Sequence, residues 1–378
     1  MNKKTTLVIL LDSFRHDYFN PDDTPYMFSL RNEGIWVKKL KNTGGYCERS
    51  VFMTGAMPET TDNYFAMALM PVGYERPAWE PKFNVPPRIR DRLCMSEDQK
   101  PDFEYRSFYN WTTKKWIASI WDMMTIEGKK FAIEACVALG IRSFKGKTTH
   151  GTRPIQLVDR FSEGKDLYYI QFSEIDQQLH YLGTLPDNRR GLLRNVDAKV
   201  KWLIEQAKNH FVEVNILIFG DHGMDEVSGK IDLPLEYPPY NEGWDYMYLK
   251  SSAMIQFWIF NPEVRKYIEN DILLKKYGEF VPSPTPRQGD LVWRVNNTIL
   301  ISPDHFHPKS DPIKAMHGWN PNFDAQKGFA LIIDGKHKGN IKECILNDIC
   351  PTICDLVDIK KPKYNVGKSL IKEVSKNV

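Results

Sequence analysis

The sequence predicts an α/β fold in which a mostly parallel central sheet is flanked by helices on both faces. Three apolar runs, at residues 6–11, 166–172 and 215–219, carry this prediction. They lack the polar alternation of a half-exposed strand, which indicates parallel strands covered on both faces. A helical pattern at residues 192–211 places apolar residues on one face and leads into the third run. Further strands are predicted at 34–40, 252–260, 291–301 and 328–333, and a closing helix at 345–357.

The length of 378 residues exceeds the usual size of one domain, so we expect a large core with insertions. Residues 1–224 and 311–378 are assigned to the core. A tryptophan-rich excursion at about 71–150, with a helical pattern near 115–139, is expected to form part of a pocket wall or lid. Residues 225–310 are assigned to an inserted, smaller α+β cap.

The composition of the chain argues against several classes of binding partner. The formal net charge is +3, without long blocks of one sign, so no nucleic-acid groove or polybasic membrane patch is expected. No apolar run is long enough for a membrane span. The apolar run after Lys3 and Lys4 is short and broken by Asp12, unlike a secretory signal, so a cytoplasmic location is expected. Six scattered cysteines indicate reduced core thiols.

Acidic and imidazole side chains follow the three apolar runs. Asp12 ends the first, and Asp221 and His222 follow the third, where ligands gather in open α/β sheets. Asp176 and His180 follow the second and stand four residues apart, so on a helix they share one face. These residues are candidate metal ligands, although an Asp at a turn also caps helices without binding an ion.

A tight loop at residues 42–47 leads into a predicted helix at 48–53, which stops at Gly55. The first residue of such a helix lies where backbone N–H groups point at an anion. Near the end of the cap, His305 and His307 flank Phe306. They either point toward the candidate ligands as substrate-binding donors or belong to a surface loop, and the surface loop is the preferred interpretation.

The order of these motifs resembles the alkaline phosphatase superfamily, and specifically its nucleotide pyrophosphatase/phosphodiesterase branch. The resemblance extends over most of the chain, from Thr6 to Leu370. It is carried by the following segments, in chain order: Asp12-Ser13-Phe14-Arg15, Met53-Thr54-Gly55-Ala56-Met57-Pro58-Glu59, Asp176 with His180, Asp221-His222-Gly223-Met224, His317-Gly318, Pro351-Thr352-Ile353-Cys354-Asp355-Leu356 and Gly367-Lys368-Ser369-Leu370. Sulfatases of the same superfamily carry a second acidic residue after the first Asp, where this chain has Ser13.

The resemblance implies two divalent metal ions. Asp176, His180 and His317 would hold one ion, and Asp12, Asp221 and His222 the other. Mixed imidazole and carboxylate ligands suit Zn²⁺, with Mn²⁺ as the alternative. Two ions can stabilise the attacking and leaving oxygens of an in-line displacement at phosphorus, so the resemblance implies phosphoryl transfer.

The chain departs from the family at the nucleophile. Aligned through Thr54 and Gly55, the family's catalytic Thr or Ser falls on Gly45, which has no side chain. Cys47 at the predicted helix start is the first candidate to replace it, because the helix dipole and an adjacent ion favour a thiolate. A buried thiol or an extra zinc ligand is the alternative for Cys47. Thr43 is the second candidate nucleophile, and Ser50 lies inside the helix.

Arg49 matches the arginine of the sulfatase signature, but the Cys-x-Pro-x-Arg spacing is absent, so formylglycine conversion is not implied. Arg49 or backbone N–H groups would instead hold a non-bridging oxygen. The expected function is a di-metal phosphodiesterase or pyrophosphatase that hydrolyses a nucleotide-like or sugar-phosphate diester. The alternatives are a phosphomonoesterase or phosphomutase on the same scaffold, and a metal-bound homologue that recognises a phosphodiester without cleaving it.

Overall fold

A computed structural model describes residues 2–75, 87–96, 108–135 and 154–374. Its centre is an eight-stranded sheet, whose strands we number in chain order. They are β1 (Asn2–Leu11), β2 (Ile35–Lys41), β3 (Phe131–Glu134), β4 (Leu167–Phe172), β5 (Phe211–Phe219), β6 (Gly328–Ile333), β7 (Gly339–Ile341) and β8 (Cys344–Ile345).

The sheet is mostly parallel. Its order is β7-β2-β6-β5-β1-β4-β3, and β8 also pairs with β2. Strand β1 lies between β5 and β4 and is parallel to both, with Val8 opposite Leu217 on one side and Tyr169 on the other. Only β6 runs against its neighbours β5 and β2 among the described strands. The predicted α/β fold class is confirmed.

Both faces of the sheet are buried, which explains the uninterrupted apolar runs. Along β1, Leu7 and Ile9 pack into one core cluster while Val8 and Leu10 pack into the other, and all four are at most 1% exposed. Because successive side chains of a strand point to opposite faces, both sets must be apolar when helices cover both faces.

Four helices matter for the site and for the core: α1 (Glu48–Thr54), α2 (Glu174–Leu182), α3 (Pro186–His210) and α4 (Ile349–Val357). Helix α3 begins six residues before the predicted start. Its first turns carry mostly exposed polar residues, which give no periodic signal, while Pro186 at its first position is well suited to begin a helix. Helix α4 begins at Ile349, after a 3₁₀ turn at Leu346–Asp348.

The helical pattern predicted near residues 115–139 is only partly correct. A short helix, Ile120–Ile126, is present, but it is flanked by strands at Lys115–Ile117 and Phe131–Glu134. Ser119 caps the start of the helix, and Gly128 follows its end in a left-handed conformation. The next residues instead pair with β4 as the edge strand β3. Residues 136–139 of the predicted pattern lie outside the described residues.

Residues 225–310 contain a four-stranded antiparallel sheet, in the order Tyr246–Lys250, Met254–Ile259, Leu291–Val295 and Gly278–Val281. Two short helices, Arg265–Glu269 and Ile272–Tyr277, accompany it. These elements agree with the α+β composition expected for the cap, whose limits as a separate unit stay a prediction. We refer to residues 225–310 as the cap segment.

Short pairings connect this segment to the core. Asp225–Glu226 pairs with Ala315–Met316, and Gly229–Ile231 pairs with Ile299–Ile301. The first pairing brings the residues after His222 beside the residues before His317. The remaining described strands are Met67–Leu69, Leu93–Met95 and Phe108–Asn110, and the remaining described α-helices are Pro25–Ser29, Pro58–Thr61, Pro87–Arg90, Pro154–Asp159 and Leu370–Val374. Within the described ranges, no helix combines the length and apolarity needed to cross a membrane.

Candidate metal centre

The candidate ligands meet at one edge of the central sheet. Strands β1, β4 and β5 are adjacent and parallel, so their carboxyl ends lie together. Asp12 directly follows β1, helix α2 begins two residues after β4, and Asp221 and His222 follow β5. The topology therefore gathers side chains that are more than 200 residues apart in the chain.

The first group consists of Asp176, His180 and His317, whose ligand atoms all lie within 4.8 Å of one another. The Asp176 Oδ1 atom is 3.5 Å from Nε2 of His180 and 3.4 Å from Nε2 of His317. Nδ1 of His180 donates to the carbonyl of Ala315 at 2.9 Å, which directs Nε2 toward Asp176. The first two residues lie one turn apart on α2, as the four-residue spacing predicts.

The second group consists of Asp12, Asp221 and His222, again with ligand atoms within 4.8 Å of one another. Nε2 of His222 is 3.4 Å from Oδ1 of Asp12, while its Nδ1 donates to the Gly223 carbonyl at 3.1 Å. The buried Gln171 donates from Nε2 to Oδ2 of Asp12 at 2.8 Å. Asp12 and His222 are thus each oriented by a hydrogen bond from a neighbouring group, as ligands are in protein metal sites.

The two groups are adjacent. The rings of His222 and His317 stack with their centroids 4.1 Å apart and their planes 24° apart. Ser13 also connects the groups: its Oγ donates to Oδ1 of Asp176 at 2.7 Å and lies 3.2 Å from Nδ1 of His222. Ser13 has a φ of +62°, in the left-handed region. The sequence identified Ser13 only as a replacement for an acid, because neither its conformation nor its contacts are visible locally.

The electrostatics of the second group favour a bound cation. Burial raises the pKa of Asp221, and the nearby carboxylates of Asp12 and Glu48 raise it further. Burial likewise raises the pKa of Glu48. Although burial lowers the pKa of His222, the carboxylates of Asp221 and Asp12 raise it well above its usual value. The site concentrates negative charge away from water, which a divalent ion would neutralise.

The first group shows related features. Burial would raise the pKa of Asp176, but His180 and His317 hold it far below its usual range. Nδ1 of His317 is buried and has no hydrogen-bond partner among the described residues. Together the two groups offer three carboxylates and three imidazoles, a donor set that fits Zn²⁺ or Mn²⁺ better than the all-oxygen sites of Ca²⁺ or Mg²⁺. The residues present therefore fit the two implied ions.

A cavity of about 350 Å³ opens over both groups. Helix α1 contributes Glu48 and Arg49 to its wall, and both side chains are largely buried. Much of the remaining wall is apolar or aromatic and is contributed by Tyr46, Phe65, Met67, Leu249, Phe306 and Met316. None of the described residues between 71 and 150 lines it, so their expected contribution to the pocket wall is not observed.

The loop before α1 differs from the expected nucleophile loop. Gly45 has a φ of +74°, and a Cβ atom there would lie 2.4 Å from the carbonyl oxygen of Tyr64. Cys47 is fully buried in the apolar core, and its Sγ donates to the Gly44 carbonyl at 3.6 Å. The Thr43 hydroxyl lies 3.7 Å from that sulfur. The cavity wall includes neither of these candidates, and Ser50 is buried inside α1.

No pattern in the sequence identifies Glu48 as a site residue, and the sequence around His307 favours a surface loop. The structure places Glu48 in the cavity wall, at the first position of α1, beside the predicted Arg49. His307 and Phe306 also line the cavity, although they lie in a loop and Phe306 is exposed, so this loop is not separate from the candidate site. His305 does not line it, and its Nδ1 accepts the Lys250 backbone N–H at 2.8 Å.

This α/β topology, with two Asp/His groups at the carboxyl edge of its parallel strands, defines a protein of the alkaline phosphatase superfamily. The chain belongs to the type I phosphodiesterase/nucleotide pyrophosphatase family, whose profile matches residues 6–279. The sequence resemblance is thereby confirmed. Members of this family are hydrolases of phosphodiester and pyrophosphate bonds that depend on divalent metal ions.

Solved structures share the fold. Murine ectonucleotide pyrophosphatase/phosphodiesterase 5, an inactive substitution variant in complex with AMP, superimposes with a TM-score of 0.71 at 16% identity, covering 95% of this chain and 96% of that chain. The murine protein without that substitution superimposes with a TM-score of 0.70 at 16% identity, covering 98% of this chain and 99% of that chain. Human ectonucleotide pyrophosphatase/phosphodiesterase 5 superimposes with a TM-score of 0.68 at 17% identity, covering 94% of this chain and 95% of that chain.

Proposed function

We propose that the protein is a two-metal phosphodiesterase or pyrophosphatase that acts on a nucleotide-like or sugar-phosphate diester. The observation that carries this proposal is the placement of two Asp/His groups, with stacked imidazoles, in one cavity with Arg49. Family membership supports hydrolysis of phosphodiesters, and AMP in the murine relative is consistent with a nucleotide-like substrate.

In this proposal Asp176, His180 and His317 hold one ion, and Asp12, Asp221 and His222 hold the other. Zn²⁺ is the proposed metal, with Mn²⁺ as the alternative. When bound, the pair supplies positive charge to the phosphoryl oxygens as displacement proceeds.

The residues of the cavity wall have separate roles in binding. The Arg49 guanidinium is proposed to hold a non-bridging phosphoryl oxygen, because Arg offers several donors in a fixed geometry. The apolar wall formed by Phe65, Met67 and Leu249 would contact the organic group and exclude water around the phosphate. A cavity of this size would bury a diester with one compact organic group.

Water is the proposed attacking group. Neither Cys47 nor Thr43 lines the cavity, and the Cys47 thiol is buried in the apolar core. Either candidate would need the loop to rearrange before attack. We therefore expect Cys47→Ala and Thr43→Ala to retain turnover within about tenfold at unchanged metal content, since removal of a true nucleophile costs orders of magnitude. A loss of several orders of magnitude in one variant would identify its side chain as the nucleophile.

Metal analysis and a matched substrate panel test the main proposal. Protein prepared with zinc should contain about two ions, and His317→Ala and Asp221→Ala should each lose about one with most of the turnover. Nitrophenyl diesters should be cleaved faster than the corresponding monoester. Protein without bound metal would contradict the proposal, and a faster monoesterase rate would favour a phosphomonoesterase or phosphomutase.

A non-catalytic role is the second candidate, favoured by the backbone at Gly45, which leaves no space for a side chain. In that case the metal-loaded protein would bind a diester and release no product. Equilibrium binding of a diester combined with long incubations, analysed by ³¹P NMR, separates the two functions.

A cytoplasmic location remains part of the proposal. Among the described residues, no two cysteines form a disulfide, as expected in a reducing compartment. Fractionation of the source cells tests it directly.

A further inference from the structure

The cap segment supplies the cavity with an imidazole that is held by a buried carboxylate. Nδ1 of His307 lies 3.2 Å from Oδ2 of Asp304, whose side chain is 1% exposed. The Ser252 hydroxyl donates to the same oxygen at 2.7 Å and lies 3.3 Å from Nδ1. Asp304 Oδ1 accepts the backbone N–H groups of Phe306 at 2.7 Å and His307 at 2.6 Å. Asp304 therefore fixes both the loop and the ring.

These contacts distinguish the two ring nitrogens. Burial raises the pKa of Asp304, but hydrogen bonds from His307 and Ser252 outweigh it and lower the pKa below its usual value. An ionised carboxylate only accepts hydrogen bonds, so Nδ1 of His307 carries the hydrogen. Nε2 has no hydrogen-bond partner among the described residues. Because His307 lines the cavity, Nε2 is the nitrogen available to a bound molecule.

The position of His307 in the cavity is suitable for a group that acts on the leaving oxygen of a displacement at phosphorus. It comes from the cap segment, whereas Arg49 and Glu48 come from α1, and all three line the same cavity as both ligand groups. The Asp-oriented imidazole has the arrangement of a general acid, in which a carboxylate on one nitrogen holds the other toward a reacting oxygen. Phe306 beside it offers an apolar contact for the departing group.

We propose that His307 protonates the leaving-group oxygen in the hydrolysis proposed above, with Asp304 and Ser252 as positioning residues. The bond between phosphorus and the leaving oxygen breaks, its electron pair stays on that oxygen, and the oxygen takes the Nε2 proton. Water supplies the oxygen that bonds to phosphorus. Of its two protons, one restores the imidazolium and the other remains with the phosphomonoester or is released to solvent.

This role rests on the proposed function and specifies its substrate class. A phenolate such as nitrophenolate leaves without protonation, whereas an alkoxide from a sugar or other alcohol is too basic to leave readily unprotonated. A dedicated acid therefore indicates a diester whose leaving group is an aliphatic or sugar alcohol.

The test compares two leaving groups on the same nucleotide, thymidine 5′-(4-nitrophenyl) phosphate and thymidine 5′-methyl phosphate. In zinc-loaded His307→Gln, we expect kcat for release of methanol to fall by about 10²–10⁴-fold, while release of nitrophenol changes less than about tenfold. Asp304→Asn should also lower methanol release more than nitrophenol release, but by a smaller factor than His307→Gln. His305→Gln is the matched control, because His305 neighbours this loop but does not line the cavity, and it should preserve both rates.

Nitrophenol release is also the folding control, since retention of that rate shows an assembled site. An equal loss on both substrates, or no loss on either, in His307→Gln would overturn the role of His307 and leave the proposed function standing. Wild-type protein that binds two ions but cleaves neither substrate would contradict the proposed function itself and, with it, this role.

Discussion

At the scale of single residues, Ser13 combines an unfavourable backbone conformation with contacts to both ligand groups. A left-handed φ is costly for a residue other than Gly, and such strain persists only where the surroundings hold it. Here the hydroxyl donates to Asp176 of one group and lies beside His222 of the other. We infer that the hydroxyl orients these ligands.

Two substitutions distinguish the effect of the Ser13 hydroxyl from the effect of its backbone conformation. Ser13→Ala and Ser13→Gly should both weaken zinc binding by about 10–100-fold, because outer hydrogen bonds orient ligands. The metal-free Gly variant should be more stable than the Ala variant by about 1 kcal/mol, because Gly adopts this φ without strain. Calorimetric zinc titration and thermal unfolding measure the two effects.

Asp358→Gly is the control for this experiment, since Asp358 has a φ of +60° and lies at the end of α4. It should leave zinc affinity unchanged. If Ser13→Gly bound zinc as tightly as wild type, the hydroxyl would have no orienting role.

Gly45 gives a second prediction at this scale. Restoring the family hydroxyl by Gly45→Thr should not raise turnover, because the Cβ would meet the Tyr64 carbonyl and a β-branched residue is strained at this φ. The variant should lose about 2 kcal/mol or more of unfolding free energy, measured in urea. A gain in turnover of tenfold or more would show that the loop can adopt the family's arrangement.

At the scale of elements, a buried ion pair joins the core to the cap segment. Asp62 follows the helix Pro58–Thr61 and is fully buried, and its Oδ2 accepts from Nη1 of Arg287 at 2.9 Å. Arg287 also donates to the Leu69 carbonyl, and Thr285 donates to Asp62 Oδ1. Arg287 thereby holds the strand Met67–Leu69, whose Met67 lines the cavity, through the Leu69 carbonyl.

Arg287→Met should destabilise the protein by about 3–5 kcal/mol, because it leaves the Asp62 carboxylate buried without its charged partner. Asp62→Asn in the same chain should recover part of that loss. Arg265→Met, which breaks an exposed pair with Glu269, is the control and should cost less than about 1 kcal/mol. Equal losses for Arg287→Met and Arg265→Met in urea unfolding would contradict a structural role for the buried pair.

At the scale of the whole molecule, we expect the candidate metal centre to lower the stability of the metal-free protein. Asp12, Asp221 and Glu48 bring three carboxyl groups to one largely buried site. Without a cation, their mutual repulsion and desolvation oppose folding. If these groups bind ions as proposed, the bound ions should stabilise the native state, because a ligand that binds only the folded protein shifts the equilibrium by mass action.

Asp221→Asn should therefore raise the thermal midpoint of metal-free protein by about 1 °C, which corresponds to about 1 kcal/mol for a chain of 378 residues. The same variant should lose most of the zinc-induced rise that wild type shows, because one site has lost a ligand. Differential scanning calorimetry with chelator and with zinc measures both quantities. A lower midpoint of the metal-free variant would show that Asp221 stabilises the fold without an ion.

The sequence by itself determined the sheet strands that carry the site and the residues at their ends. A strand buried on both faces must be apolar throughout, so the polar residue that ends it is visible locally. Asp12, Asp221 and His222 were found in this way, and Asp176 with His180 by helical spacing. Their close approach follows because adjacent parallel strands end at the same edge. The assignment of His317 needed the family resemblance.

Only the tertiary structure decided which other side chains reach the cavity. Glu48 lines it and Cys47 does not, because the turn before α1 fixes their directions and neighbouring segments bury the thiol. Ser13 joins the ligand groups through a left-handed φ, and His307 arrives from the cap segment, held by Asp304. Periodicity reports which face of an element is buried, but side-chain direction in a loop depends on backbone angles and on contacts with segments distant in sequence.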